Sequence, residues 1–283
     1  MRRQRGVALL LVLWACTLLA ILLGGYAMLA RTSALQTRYQ FAQTRAHYAA
    51  EAGLMRAIYA LQESDPRRRW SGDGRAYPFA FGDARVQVSI VDEDGKVDLN
   101  AASPEVLQAF FRAAGLDATA ANQLAANVAD WRSFSGGSTQ ADSLRAEYAA
   151  AGRGYGPRHG PFATLEEVQQ VLGMTPELYP QVEPALTIWS GRAIPDPATA
   201  PPLALAAIPG MTPQQLQSLQ AARNQNAGAG GPPIGGGITH SIRSQAELAD
   251  GTRAVIRATI RLQPGNSGSQ PYTVLRWQEG DRE

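Results

Sequence analysis

The stretch that decides the fold is MRRQRGVALLLVLWACTLLAILLGGYAMLAR, Met1 to Arg31: Arg2, Arg3 and Arg5, then Gly6, then an uncharged, mostly apolar run from Val7 to Ala30 that stops at Arg31. A helix rises about 1.5 Å per residue, so this run is long enough to cross a hydrocarbon core of about 30 Å. Basic residues ahead of a span stay on the cytoplasmic side, which sends everything after Arg31 across the membrane. The run is longer than the apolar core of a secretory signal. Its nearest approach to a signal-cleavage site, Met28-Leu29-Ala30, puts a bulky Met where a small residue belongs. Leu13-Trp14-Ala15-Cys16 has the spacing of a lipobox, so a lipoprotein anchored at Cys16 is an alternative reading; a lone Cys in an apolar helix also serves as a small hydrophobic residue.

Outward from this run the helix continues. No Pro occurs before Pro66, and Leu35, Tyr39, Ala42, Ala46, Ala49, Gly53, Ala57 and Leu61 recur at steps of three and four. The spacing predicts one helix from about Val7 to about Leu61, half in lipid and half outside, whose outer apolar stripe needs a cover. Strand patterns supply one. Val86, Val88 and Ile90 alternate with polar residues, as do Ala254, Ile256, Ala258, Ile260 and Leu262. Asp250-Gly251 reads as the hairpin turn between 238–243 and 253–262, and Tyr272 to Trp277 as a last strand. An antiparallel sheet packed on the helix is predicted.

Between these strands, from Val97 to Arg223, the signals are helical. Ser103-Pro104, Thr175-Pro176 and Thr212-Pro213 place a hydroxyl at an N-cap and Pro at the first helical position, and Thr164 to Glu167 and Thr212 to Gln215 have capping-box spacing. Gly173-Met174-Thr175-Pro176 recurs as Gly210-Met211-Thr212-Pro213, which predicts two related helical units joined by a Pro-rich link. The chain's net charge is only +2, and Cys16 is its single cysteine, so no intrachain disulfide forms.

Two sets of residues carry a resemblance to a known family. Arg5-Gly6 ahead of the apolar run is similar to a class III prepilin leader. Val91-Asp92-Glu93-Asp94-Gly95-Lys96-Val97-Asp98-Leu99-Asn100-Ala101-Ala102, then Asp130-Trp131, Pro161-Phe162 with Leu165-Glu166-Glu167, and Gly173-Met174 resemble the general secretion pathway protein K family, the large minor pseudopilins of type II secretion systems. The resemblance implies an α+β, pilin-like fold: a long N-terminal transmembrane helix on an antiparallel sheet, interrupted by a large inserted all-α domain of SAM-like units. It divides the chain into a leader (1–6), membrane helix (7–30), periplasmic helix (31–63) and first part of the sheet (64–96). The inserted domain follows, with a first SAM-like unit (97–191), a linker (192–202) and a second unit (203–227); a Gly/Pro-rich loop (228–237) and the closing strands (238–283) complete the chain.

The same resemblance implies cleavage between Gly6 and Val7 by prepilin peptidase, N-methylation of Val7, and a single-pass protein of the bacterial inner membrane with its C-terminal domain in the periplasm. Expected partners are the minor pseudopilins I and J and the major pseudopilin. Pilins of this kind carry Glu at the fifth mature position, where it pairs with the amine of a preceding subunit; here that position is Leu11. A subunit with nothing above it has no need of that carboxylate, which is costly in lipid, so Leu11 points to the tip of a filament. Family members bind calcium in the inserted domain through aspartates after the Asp-Trp pair. This chain has Arg132, Ser133, Phe134 and Ser135 there, which leaves Asp130, Asp142 and Glu147 as candidate calcium ligands.

Other readings have less behind them. Leu99 to Ser103 and Ile208 to Met211 look like pieces of a helix-hairpin-helix DNA-binding unit, but Val97 to Arg223 holds seven Arg against eleven Asp or Glu, the wrong sign for phosphate. No nucleic acid is expected as a partner. His47, His159 and His240 are scattered without ligand spacing, Gly265-Asn266-Ser267-Gly268 reads as a turn, and Asp92 to Gly95 as the turn ending a strand. A structural protein, not an enzyme, is predicted.

Overall fold

The computed structural model describes residues 5–65, 67–134, 138–212, 214–219, 221, 237–263 and 270–280. Uninterrupted helix-forming sequence carries α1 from Arg5 to Leu61, 57 residues in one piece, about 85 Å at a rise of about 1.5 Å per residue. Its first half is exposed and apolar, and it is the one helix among the described residues long and apolar enough to cross a membrane. The hydroxyl of Thr17, the polar interruption in this run, donates to Trp14 O at 2.8 Å, so it needs no partner from lipid.

The second half of α1 is covered on one side. Ala46, Ala49, Ala50, Leu54, Ala57, Ile58 and Leu61 are buried against Val86, Val88, Ile90, Ile242, Ile256, Ala258 and Ile260. The predicted stripe is too long by two positions. Leu35 and Tyr39 are 58% and 62% exposed, because the sheet covers the helix only from about Ala42 onward. Small residues on the covered face let the layers approach closely. A Cβ on Gly53 would lie 2.1 Å from Ser244 Oγ and 2.8 Å from Val86 Cγ1.

After α1 the chain forms β1 (Asp73–Phe81) and β2 (Ala84–Asp92), a hairpin turning at Gly82 with φ +59°. Then comes the inserted region: β3 (Val97–Asp98), α2 (Pro104–Ala113), α3 (Ala118–Arg132), α4 (Ser138–Ala150), a 3₁₀ turn over Leu165–Gln170, α5 (Tyr179–Val182), β4 (Leu186–Thr187) and α6 (Pro202–Ala206). The chain returns as β5 (Thr239–Glu247), β6 (Arg253–Leu262) and β7 (Tyr272–Glu279), with Gly251 at φ +85° turning the β5–β6 hairpin. The main sheet has the order β1-β2-β5-β6-β7 and is antiparallel throughout. The α+β class and the helix-on-sheet arrangement read from the sequence are those observed.

The inserted region has its own core of Leu99, Val106, Phe110, Phe111, Leu124, Val128, Trp131 and Tyr148, reached also by Leu205 of α6 and Leu216 of the second Gly-Met-Thr-Pro unit. Two sequence signals come out differently at its caps. Ser103 and Thr212 cap as their spacing implies, the Ser103 hydroxyl accepting from Val106 N and that of Thr212 from Gln215 N. Thr164 makes no side-chain cap, and the turn after it is 3₁₀. The Glu167 carboxylate that should reach back to Thr164 is held by Trp131 Nε1 at 2.9 Å, by Arg158 and by Ala163 N at 2.8 Å.

Gly53→Val overpacks the helix–sheet interface and is expected to cost about 1–3 kcal/mol in chemical denaturation of the detergent-solubilised chain. Gly154→Val, at a position with no atom within 4 Å of an added Cβ, serves as the neutral comparison.

Candidate functional site

The site begins where the chain leaves the sheet. Asp92, the last residue of β2, sits directly across from His240 of β5. Its carboxylate accepts from Asp94 N at 3.0 Å and from Gly237 N at 3.1 Å, tying the start of the insertion to its end 145 positions later. A Cβ on Gly237 would fall 2.1 Å from Asp92 Oδ1, and one on Gly95 would fall 2.5 Å from the Thr199 carbonyl carbon, so both crossings depend on glycine. Residues 93–95 form a 3₁₀ turn, as the Asp-Glu-Asp-Gly sequence suggested. Glu93 is fully buried and pairs with Lys96 Nζ at 2.6 Å.

The rest of the run from Val91 to Ala102 is scaffolding of the same kind. Asp98 accepts from Asn100 N at 2.7 Å, Gly191 N at 2.7 Å and Ser190 Oγ at 3.1 Å. Asn100 bridges to Phe162, accepting from its N–H at 2.7 Å and donating to its carbonyl at 3.1 Å. β3 and β4 pair in parallel, Val97 beside Leu186, so the first helical unit enters and leaves side by side. Thr199 and Ala200, in the stretch read as a linker, are buried, with Thr199 against Gly95.

Burial shapes the ionisation here. It pushes the carboxyls of Asp92 and Asp94 above the usual range, with the neighbouring acids Asp92, Glu93 and Asp196 adding to it and backbone N–H donors or Arg192 opposing. His240 is 5% exposed, and its Nδ1 has no hydrogen-bond partner among the described residues. Burial lowers its pKa to about 4, against the pull of Glu93, a contact with Gly237, and Asp94.

The candidate calcium ligands do not come together as a set. Asp130, at the end of α3, is half-buried; its pKa is raised by burial and by the charge of Glu147. Glu147 and Asp142 are exposed positions on α4. Calcium takes six to eight oxygens, and among the described residues no group of three His, Cys, Asp or Glu side chains converges to hold a metal ion. Arg132, where the resemblance implied further acid, instead donates to Leu99 O at 2.7 Å and Ala102 O at 2.6 Å, clamping the end of α3 to the segment before α2. Nothing in the sequence signalled that clamp or the buried role of His240, since both join residues far apart along the chain.

Leu11 lies on the exposed face of the apolar half of α1, and Gly6 and Val7 fall within its first turns. Residues 1–4 of the leader, 135–137 after α3, 222–236 with most of the Gly/Pro-rich run, and the 265–268 turn lie outside the described residues.

Comparison with known proteins bears on the whole of this architecture. Residues 87–191 match the family model described as Type II secretion system (T2SS), protein K. A chain of the crystal structure of the GspK–GspI–GspJ complex from the type 2 secretion system of enterotoxigenic Escherichia coli is similar in fold, with a TM-score of 0.57 and 16% identity, over 89% of this chain and 100% of that one. No curated protein matches the chain. The family resemblance read from the sequence is borne out.

The buried, neutral state of His240 fixes a pH dependence. A histidine whose folded pKa lies below its unfolded value of 6.5 contributes stability that is complete above pH 6.5 and lost as pH falls toward about 4. His240→Gln should therefore flatten the pH profile of unfolding in that window, by up to about 3 kcal/mol; the raised carboxyls Asp92 and Asp94 act in the opposite sense in both proteins. Equal slopes for the two would show that His240 is not held neutral.

Proposed function

We propose, taking residues 87–191 as a type II secretion system protein K domain carried on a pilin-like helix and sheet, that this chain is a minor pseudopilin that initiates and caps the periplasmic pseudopilus. The observation that carries this reading is the joint presence of a continuous apolar α1 and a bulky domain inserted between two neighbouring strands. Subunits of a helical filament repeat head to tail. A domain of this size over one end leaves no room for a further subunit there, and Leu11 offers no carboxylate to an earlier one.

In this reading α1 sits in the inner membrane with its N-terminus in the cytoplasm and everything after Arg31 in the periplasm. Prepilin peptidase cuts between Gly6 and Val7 and methylates Val7. Phe41, Tyr48 and Tyr59 share the side of α1 turned from the sheet and are exposed, which supports bundling with the helices of other subunits. The fold neighbour comes from a complex of GspK with GspI and GspJ; by that analogy minor pseudopilins I and J are the first partners, and the major pseudopilin follows below. No catalytic role is proposed, and the carboxylates Asp130, Asp142 and Glu147 are given no ion to hold.

Mass spectrometry of the mature protein is expected to find N-methylated Val7 at its N-terminus; residues 1–6 retained in cells with an active prepilin peptidase would refute the processing step. Co-expressed with its I and J counterparts, the chain should purify as a ternary complex, and consistent failure to do so would refute the tip assignment.

A further inference from the structure

The second half of α1, with the loop after it, carries an excess of positive charge. Residues 31–69 hold seven Arg against three acids, Glu51, Glu63 and Asp65, although the whole chain has a net charge of only +2. The arginines within the helix are not scattered around it. Arg31, Arg38 and Arg45 follow at steps of seven and Arg56 after a further eleven, and each step returns to the same side of a helix of about 3.6 residues per turn to within about 20°. All four are exposed.

Beside that row stands a second one. Phe41, Tyr48 and Tyr59 repeat the steps of seven and eleven on the side of α1 turned from the sheet, and they are 65%, 61% and 65% exposed. Arg45 joins the two rows. It follows Phe41 by four positions, its guanidinium lies 5.8 Å from the centre of that ring, and it pairs with Asp83 in the turn of the β1–β2 hairpin. The arginines therefore run along the hairpin flank of the aromatic row. Asp83 answers Arg45, whereas Arg31, Arg38 and Arg56 make no ion pair or side-chain hydrogen bond among the described residues.

We infer that this two-row face of α1 is a docking site for a helix of another protein that carries a stripe of Asp or Glu beside a stripe of apolar residues. The inference rests on the reading of α1 as a bundling helix and adds the chemistry of its neighbour. The occupant is a helix because α1 has no open backbone edge to pair with a strand, and rows that recur every two or three turns meet a second helix laid along the first. It is not a second copy of this chain, whose matching face would set Arg against Arg. Nor is it the bilayer surface. The row climbs away from the apolar run, so Arg56 stands about 37 Å beyond Arg31 at a rise of about 1.5 Å per residue, while headgroup charge is screened within about 8 Å. One exposed ion pair contributes little. Selectivity comes from the arginines acting together and from their repulsion of a basic helix, and the aromatic row supplies apolar area to either kind.

The test uses the detergent-solubilised full chain and two synthetic helical peptides of about 25 residues, enough to span the row at about 1.5 Å per residue. Both carry the same leucine stripe, flanked by glutamate in one and by lysine in the other. Hydroxyl-radical footprinting of Phe41, Tyr48 and Tyr59 reports occupancy of the face. The glutamate peptide should protect all three and bind at least about tenfold more tightly than the lysine peptide, a preference that shrinks as salt is raised. Arg38→Glu with Arg56→Glu should reverse the preference. Arg112→Glu with Arg145→Glu, two exposed positions of the inserted region, makes the same change in net charge and should leave it intact, and Tyr48→Ser with Tyr59→Ser should weaken both peptides. Equal affinity for the two peptides, no protection of the aromatic row, or protection by phosphatidylglycerol added to the micelle and by neither peptide would overturn the proposal. Assembly with the I and J counterparts is a separate readout: its failure counts against the tip assignment, whereas normal assembly without a preference for the glutamate peptide refutes this inference alone.

Discussion

The rest of the structure depends on one closure: Asp92 and His240 face one another across β2 and β5 although the whole inserted region lies between them. A flexible loop of that length would have to be brought to a single point, at a cost that rises with the logarithm of its length. The chain avoids most of it by shortening the loop in stages. The β3–β4 bridge draws Val97 and Leu186 together, the stretch after it packs back on Gly95, and Asp92 then accepts from Gly237. Each stage hands the next a pair of ends already close. The sheet can then pair as a plain antiparallel meander, as if β2 and β5 were joined by a turn.

That closure is made from groups that are expensive to bury. Fully buried carboxylates and a neutral imidazole are retained only where the surroundings supply donors or remove the charge. Lys96 does so for Glu93 and backbone N–H groups do so for Asp92, while His240 stays uncharged. Apolar residues could fill the same space, but they would not distinguish one register of β2 on β5 from the next. A one-residue slip turns every side chain to the other face, and here it would also strand Asp92 away from Gly237. Specific placement of the inserted region is the return on that polar cost.

How much of this was legible follows from the range of each contact. α1 and the strands β2, β5 and β6 announce themselves because their patterns repeat over many residues and one partner surface satisfies the whole repeat. β1 does not, since Pro78 and its mixed Asp73–Phe81 sequence give no clean alternation, and it is recognised only by its pairing with β2. The apolar stripe of α1 runs back to Leu35 in the sequence, because periodicity marks a face without marking where its cover ends. The capping box at Thr164 misled for a different reason: the local rule gave Glu167 to its own helix start, whereas Trp131, 36 positions away, holds one of its oxygens.

The same competition explains the end of α3. A carboxylate cluster there would carry its own repulsion and call for a cation from solution. In this chain Arg132 brings the positive charge covalently, and its guanidinium is spent on the carbonyls of Leu99 and Ala102. Burial draws its pKa down, and Asp98 supplies the nearest compensating charge. A planar fork of N–H donors suits two carbonyls three residues apart in the segment before α2 in a way a spherical ion with few ligands does not. The inserted region thus ties α3 to the segment beside β3 from within its own sequence. Through Asp98, which also fixes Ser190 and Gly191, that tie reaches the return strand β4 and the closure at Asp92.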